Sequence, residues 1–179
     1  MRKRLCKVNI SAAGGTAGAG SKTCKITLPS SWLLELGISE SNRQMELSFD
    51  GEKITVSPYL STKEFTAKKR ALGHRVLVFH YYDFDELCTE IYADYTDQSL
   101  RVKNHTEELI KTAFGVNEQP TWTDFLSFLE ERCIPRGRSG LREYLDTIGV
   151  TEYDPIEIIH KTKGRMAEDQ QWLKVEVLT

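Results

Sequence analysis

The chain has 179 residues, four cysteines and a formal charge of −2, enough for one medium domain or two small ones, each with its own core. No apolar stretch approaches the roughly 20 residues of a membrane span, and the basic start Met1-Arg2-Lys3-Arg4 is not followed by the apolar run of a secretory signal, so a cytoplasmic protein with no membrane partner is expected. Cys6, Cys24, Cys88 and Cys133 form no Cys-x-x-Cys pair and have no histidine at ligand spacing, which points to free thiols, with no metal or other cofactor.

The first predicted strand is Lys7 to Ile10, and the connection after it contains GGTAGAGSKT, Gly14 to Thr23. A phosphate-binding loop with Lys22 as its lysine needs glycine at positions 16 and 21 and a helix directly afterwards. Thr16 and Ser21 stand at those positions, and the following Lys22 to Leu28 alternates as a half-buried strand before Pro29. The glycines are therefore read as a flexible connection between two strands. Pro29-Ser30-Ser31 opens a short helix with Trp32, Leu33 and Leu36 on one stripe, closed at Gly37. Gln44 to Phe49 alternates again, Asp50-Gly51 makes a turn, and Ile54 and Val56 continue the apolar face.

The order strand, strand, helix, strand, strand, carried by KITLPSSWLLELGI (Lys25 to Ile38) and MELSFDGEKITV (Met45 to Val56), resembles the AbrB/MazE/SpoVT swapped-hairpin DNA-binding domains. The resemblance covers about a third of the chain. It departs from the family in the long Ala- and Gly-rich connection from Ile10 to Ser21, and in Glu40-Ser41-Asn42 where Gly-Asp is frequent. It implies an α+β protein whose residues 1–57 form a ββαββ swapped-hairpin β-barrel, an obligate homodimer that binds double-stranded DNA. The family's N-terminal basic and polar contacts map onto Arg4, Lys7, Ser21, Lys22, Thr23 and Lys25, and the small loop residues would let backbone N–H groups approach phosphates.

Charge divides the chain at the same point. Residues 1–57 hold eight Lys or Arg against five Asp or Glu, a balance of +3, whereas residues 58–179 hold sixteen against twenty-one, a balance of −5. Residues 58–74, with Pro58, Ser61-Thr62 and Lys68-Lys69-Arg70, read as a linker. Residues 75–179 read as a mainly helical α+β partner-binding domain. Val76 to Phe79 is a buried strand, and Asp83-x-x-Glu86 looks like a capping box opening a helix with Phe84, Leu87, Cys88, Ile91, Tyr92 and Tyr95 on one face. Further helices are predicted from Asn104 to Gly115, from Thr121 through Leu129, from Ser139 to Gly149, and from Asp154-Pro155 to Gly164, with a last strand from Trp172 to Leu178.

His80, His105 and His160 stand apart from any serine, cysteine or carboxylate at informative spacing, so no catalytic residues are assigned and a non-enzymatic protein is expected. The densest polar feature is Arg132, Arg136 and Arg138, followed by Arg142 and Arg165. Arginine forks suit carboxylates, phosphates and RNA, so these five are candidate partner contacts, against the plainer reading of ion pairs with Glu130, Glu131, Asp154 and Glu157. Phe128 to Trp172 also resembles a helical module of mobile-element proteins from Gram-positive bacteria. That resemblance implies a transcriptional regulator or antitoxin, or else an anti-CRISPR protein that binds a type II RNA-guided nuclease, whose positive groove suits an acidic tail.

Overall fold

A computed structural model describes residues 2–14, 18 and 20–178. The chain is α+β and divides into two units, residues 1–59 and 60–179. No helix among the described residues is long and apolar enough to cross a membrane.

In the first unit β1 (Val8–Ala12) pairs antiparallel with β2 (Lys22–Ile26), α1 (Ser30–Glu35) follows, and β3 (Met45–Phe49) pairs antiparallel with β4 (Ile54–Pro58). The two hairpins are separate two-stranded sheets, and no closed barrel forms among the described residues of this one chain. The local signals act as expected. Gly37 ends α1 with φ 74°, and the Ile38 N–H reaches back to the Leu33 carbonyl at 2.9 Å, the C-terminal closure that favours glycine. Asp50 Oδ1 accepts from the N–H groups of Glu52 and Lys53, both at 3.0 Å, and so folds the β3–β4 turn.

The expected linker is largely a helix. Residues 62–71 form α2 (Thr62–Ala71), started by a capping box in which Ser61 and Glu64 exchange side-chain and backbone hydrogen bonds, and its Phe65 is buried. Lys68, Lys69 and Arg70 occupy its last turn, where cations offset the negative end of the helix dipole.

The second unit is built on a four-stranded antiparallel sheet in the order β7-β6-β5-β8, formed by β5 (Val76–Asp83), β6 (Glu86–Asp94), β7 (Ser99–Asn104) and β8 (Gln171–Leu178). This corrects the mainly helical expectation. Asp83-x-x-Glu86 opens no helix: residues 84 and 85 are a two-residue hairpin turn, and Leu87 through Asp94 lie in β6. The predicted helix from Asn104 to Gly115 is the end of β7 and a single 3-10 turn at Leu109–Lys111. The other helices are α3 (Trp122–Glu131), α4 (Leu141–Ile148) and α5 (Pro155–Thr162), near their expected places. Thr121 and Asp124 form the capping box of α3, and the Asp154 side chain caps α5 through the N–H groups of Ile156 and Glu157.

One face of the sheet buries Leu77, Phe79, Ile91 and Leu173 against Phe125, Phe128 and Leu129 of α3, Leu145 of α4, and Ile158 and Ile159 of α5. Phe79 meets Phe125 and Tyr81 meets Phe128 edge to face, each with ring centroids 5.2 Å apart. The opposite face receives α2, which packs on β5, β6 and β7.

Candidate functional site

The β1–β2 register decides which of the candidate DNA contacts act together. Ile10 faces Cys24, Val8 faces Ile26 and Ala12 faces Lys22, whereas Asn9 faces Lys25 and Ser11 faces Thr23. Because side chains alternate across a strand, Asn9, Ser11, Thr23 and Lys25 share one polar face, which Lys7 and Ser21 extend at its ends. Lys22 falls on the other face, with Val8, Ile10, Cys24 and Ile26. Arg4 precedes the hairpin and is exposed. Four of the six candidates, Lys7, Ser21, Thr23 and Lys25, therefore gather on the polar side or its extension, and Lys22 projects beside the apolar one.

At the loop end, Ala13 N–H donates to the Ser21 carbonyl at 2.9 Å and Ser21 N–H donates to the Gly18 carbonyl at 3.1 Å, closing an open hollow lined by Ile10, Ala12, Gly18, Gly20 and Lys22. Gly20 has φ 87°, a left-handed turn conformation suited to glycine. The expected phosphate cradle spans this loop, and its residues 15–17 and 19 lie outside the described residues.

The apolar faces of the first unit are uncovered. Met45 pairs with Pro58, Leu47 with Val56 and Phe49 with Ile54, giving β3–β4 a wholly apolar face on which Leu47 and Phe49 are each 70% exposed. Val8, Ile10 and Ile26 are also exposed, and not one described residue of this unit is buried.

The five arginines of the second unit do not converge. Arg132 is 7% exposed and internal to the fold: Nε donates to the Gly164 carbonyl at 3.0 Å, Nη1 and Nη2 donate to the Asp169 carboxylate at 2.5 and 3.1 Å, and Nη2 donates to the Gln171 carbonyl at 2.8 Å. Burial and the use of four of its five N–H donors inside the protein make Arg132 an internal tie of the fold, where an exposed partner contact was expected. These bonds hold the Asp169 carboxyl below its usual range against the opposing effect of burial. Arg136 pairs with Glu130 at 2.9 Å and lies 4.1 Å from the Tyr153 ring centre, and Arg165 lies 5.3 Å from that of Trp172. Arg138 and Arg142 are exposed and carry no ion pair among the described residues.

Sequence reasoning missed two polar clusters because adjacent strands assemble them. On β5–β6–β7, His105 Nε2 lies 2.8 Å from Glu90, His80 Nδ1 3.7 Å from it and Lys103 3.7 Å from it. Burial opposes the charge of Glu90, but His105, Lys103 and His80 outweigh it and keep the carboxyl below its usual value. At the other end of the sheet the buried Asp94 accepts from Thr96 N–H at 2.9 Å, lies 2.7 Å from His74 Nδ1 and pairs with Lys69 at 3.1 Å, and Lys69 also contacts Asp97. His74, Asp94 and Asp97 are close enough to share a metal ion. The Lys69 ammonium already supplies the positive charge there, tying α2 to the end of β6. Burial works against the Asp94 charge, and the bonds from His74, Thr96 and Lys69 pull its carboxyl well below the usual range.

Comparison with family models, with curated proteins and with solved structures finds no match.

Proposed function

We propose that the chain is a non-enzymatic, homodimeric, double-stranded-DNA-binding protein, a transcriptional regulator or antitoxin whose second unit binds another protein. The observation that carries this reading is the absence of any buried residue among the described residues of the first unit, beside a second unit with a dense core. Two hairpins with apolar faces cannot hold a fold in water without covering them. A second copy supplies matching faces, and interleaving the hairpins into a swapped-hairpin barrel would bury Leu47, Phe49, Ile54, Val8 and Ile10 together. The polar face of β1–β2, with Lys25, Thr23, Lys7 and nearby Arg4, is then presented twice, which suits the two phosphate strands of a duplex.

The test has two parts. Sedimentation of the full chain should give a dimer, and its affinity for a duplex carrying its operator should exceed that for unrelated duplex by about 10³-fold or more. A monomeric species with the first unit folded would overturn the reading. A second reading, binding and inhibition of an RNA-guided CRISPR nuclease, is favoured by the acidic excess of residues 58–179. It requires a stable complex with the nuclease and only weak, sequence-tolerant affinity for DNA.

A further inference from the structure

The end of the central sheet carries an unusual surface at the β5–β6 turn. Asp83 pairs with Glu86, so Phe84 and Asp85 alone make the turn. Phe84 has φ 51°, a left-handed conformation that glycine adopts freely and a bulky aromatic residue resists. Its ring is not held inside the protein in return, because the residue is 65% exposed. The turn is nevertheless fixed: the Trp172 indole N–H donates to the Phe84 carbonyl at 2.6 Å, and the Phe84 N–H donates to the Gln170 carbonyl at 3.2 Å. Trp172 is itself stacked on Tyr82, with ring centroids 4.4 Å apart. The two-residue hairpin turn demands a positive φ at this position, which glycine would meet without strain, and the largely exposed ring returns little packing for placing Phe there.

A second apolar segment is tied to the same place. In the 3-10 turn Leu109 is 50% and Ile110 is 87% exposed. The Ile110 carbonyl accepts from Gln171 Nε2 at 3.3 Å, so it is anchored beside the strand start that holds Phe84. Lys111 bridges the two segments, 3.0 Å from Glu108, 3.6 Å from Glu86 and 3.9 Å from Asp83. The two segments that carry these side chains hold Asp83, Asp85, Glu86, Glu107 and Glu108 against Lys111, an acidic excess that remains when Lys163 and Arg165, each 5.3 Å from the Trp172 ring centre, are counted with it.

We propose that Phe84, Leu109 and Ile110, on segments that carry these carboxylates, form a docking knob for a protein that presents lysine or arginine around an apolar cleft. The charge selects this occupant. A nucleic acid or an anionic membrane surface would be repelled by the rim, and a second copy meeting this face about a two-fold axis would set the same carboxylates against each other. Rigid apolar groups at the centre with charge at the edge is the arrangement of a binding hot spot, in which the centre supplies affinity and the rim supplies orientation and rate.

The proposal rests on the reading of the second unit as partner-binding, and the experiment separates the two. A random linear-peptide display library is selected against the full-length protein, and enriched clones are measured against Phe84→Gly/Ile110→Ser and against Glu86→Lys/Glu108→Lys by fluorescence anisotropy of the synthetic peptides. Phe84→Gly relieves the strained turn, so a thermal midpoint at or above that of the wild type certifies that the variant is folded. The expected clones combine Lys or Arg with aromatic or aliphatic residues. They lose at least tenfold in affinity in each double variant, and their affinity falls with added salt. Clones that bind both variants as well as the wild type, or that are acidic, overturn the knob and leave the partner-binding reading standing. Failure of any clone to enrich on the full-length protein overturns both.

Discussion

Replacing Arg132 by alanine tests whether the second unit is held together in the way its geometry indicates. The guanidinium joins the end of α3 to residues 164–171, the segment that leads into β8, and β8 is hydrogen-bonded to the central strand β5. Removing it leaves the Gly164 and Gln171 carbonyls and the Asp169 carboxylate without these partners. Truncating one member of a buried ion pair costs about 3–5 kcal/mol. Asp169 is 31% exposed and can recover water, which places the expected loss near the lower end, about 3 kcal/mol. That is a large part of the ~5–15 kcal/mol that stabilises an ordinary domain. Lysine cannot substitute, because one ammonium cannot span a carboxylate and two separated carbonyls in the plane the fork occupies. The assay is urea unfolding in a Trp32→Phe background, so that emission reports Trp122 and Trp172 of the second unit alone. Arg132→Ala and Arg132→Lys should both lower the midpoint, and a cycle with Asp169→Ala should show coupling well above 0.5 kcal/mol. A loss below about 1 kcal/mol for Arg132→Ala would return the residue to the free surface and refute the argument.

Three further outcomes are expected. Asp94 has a carboxyl well below its unfolded value, so at mildly acid pH the unfolded state binds the extra proton. Its contribution is complete above an unfolded pKa of about 4 and is lost as pH falls from there toward the folded value, so Asp94→Asn should be less stable at neutral pH and show a shallower acid loss in urea titrations from pH 7 to 2. Burial pushes the Cys133 thiol up to about 12 and raises Cys88 as well, whereas Cys6 and Cys24 are exposed; mass spectrometry after brief iodoacetamide treatment should find the first two unmodified until urea is added, and rapid native alkylation of Cys133 would contradict its burial. In duplex binding, Lys25→Ala should lower the slope of log affinity against log salt by about 0.9 for each phosphate it no longer neutralises, whereas Lys22→Ala, on the apolar side of the hairpin, should change it less, and the reverse order would overturn the assigned face.

The elements of the first unit could be read from local pattern. β2 and β3 alternate because their apolar residues pair across each hairpin on one face and their polar residues on the other, and the Pro29 and Gly37 limits of α1 are backbone chemistry that no tertiary contact overrides. β6 was not legible in this way. Its apolar residues Leu87, Cys88, Ile91 and Tyr92, with Tyr95 just beyond, also fit a helical stripe, and the bulge that shifts the register between Tyr81 and Tyr82 breaks the strand period at Cys88, so the burial of Thr89, Ile91 and Ala93 on alternate positions was not visible in the sequence. The α2 helix did announce itself through Ser61-x-x-Glu64, but a neighbouring basic run and a weak apolar stripe with Phe65 as its one buried residue read as linker. Among the candidate partner contacts, Arg136 pairs with Glu130, one of the acids named for the plainer ion-pair reading and only six residues away. The Arg132 partner, Asp169, lies 37 residues away across a tertiary contact, and His80, Glu90 and His105 meet only through strand register, which spacing along one chain does not encode.

The contrast between the two units yields one more measurable consequence. The second unit closes its core from a single chain: Phe79, Phe125, Ile158 and Leu173 are all essentially inaccessible. Its unfolding should therefore be independent of concentration. The first unit leaves Leu47, Phe49 and Ile54 open, and on the proposed reading its folding and its association are one event. For a folded dimer giving two unfolded chains, each tenfold dilution costs about 1.4 kcal/mol per mole of dimer by mass action alone. Thermal unfolding should thus resolve two transitions, one reported by Trp32 and falling by several degrees over a hundredfold dilution, and one reported by Trp122 and Trp172 and fixed. Single-tryptophan variants of the full chain, scanned at three concentrations, separate them. Phe49→Asp should abolish the first transition and duplex binding together while leaving the second in place, since it introduces a charge into the proposed interface far from Lys25 in sequence. If the Trp32 transition is cooperative and unmoved by dilution, the exposed apolar faces are covered by something other than a second copy, and the homodimer reading fails at its foundation.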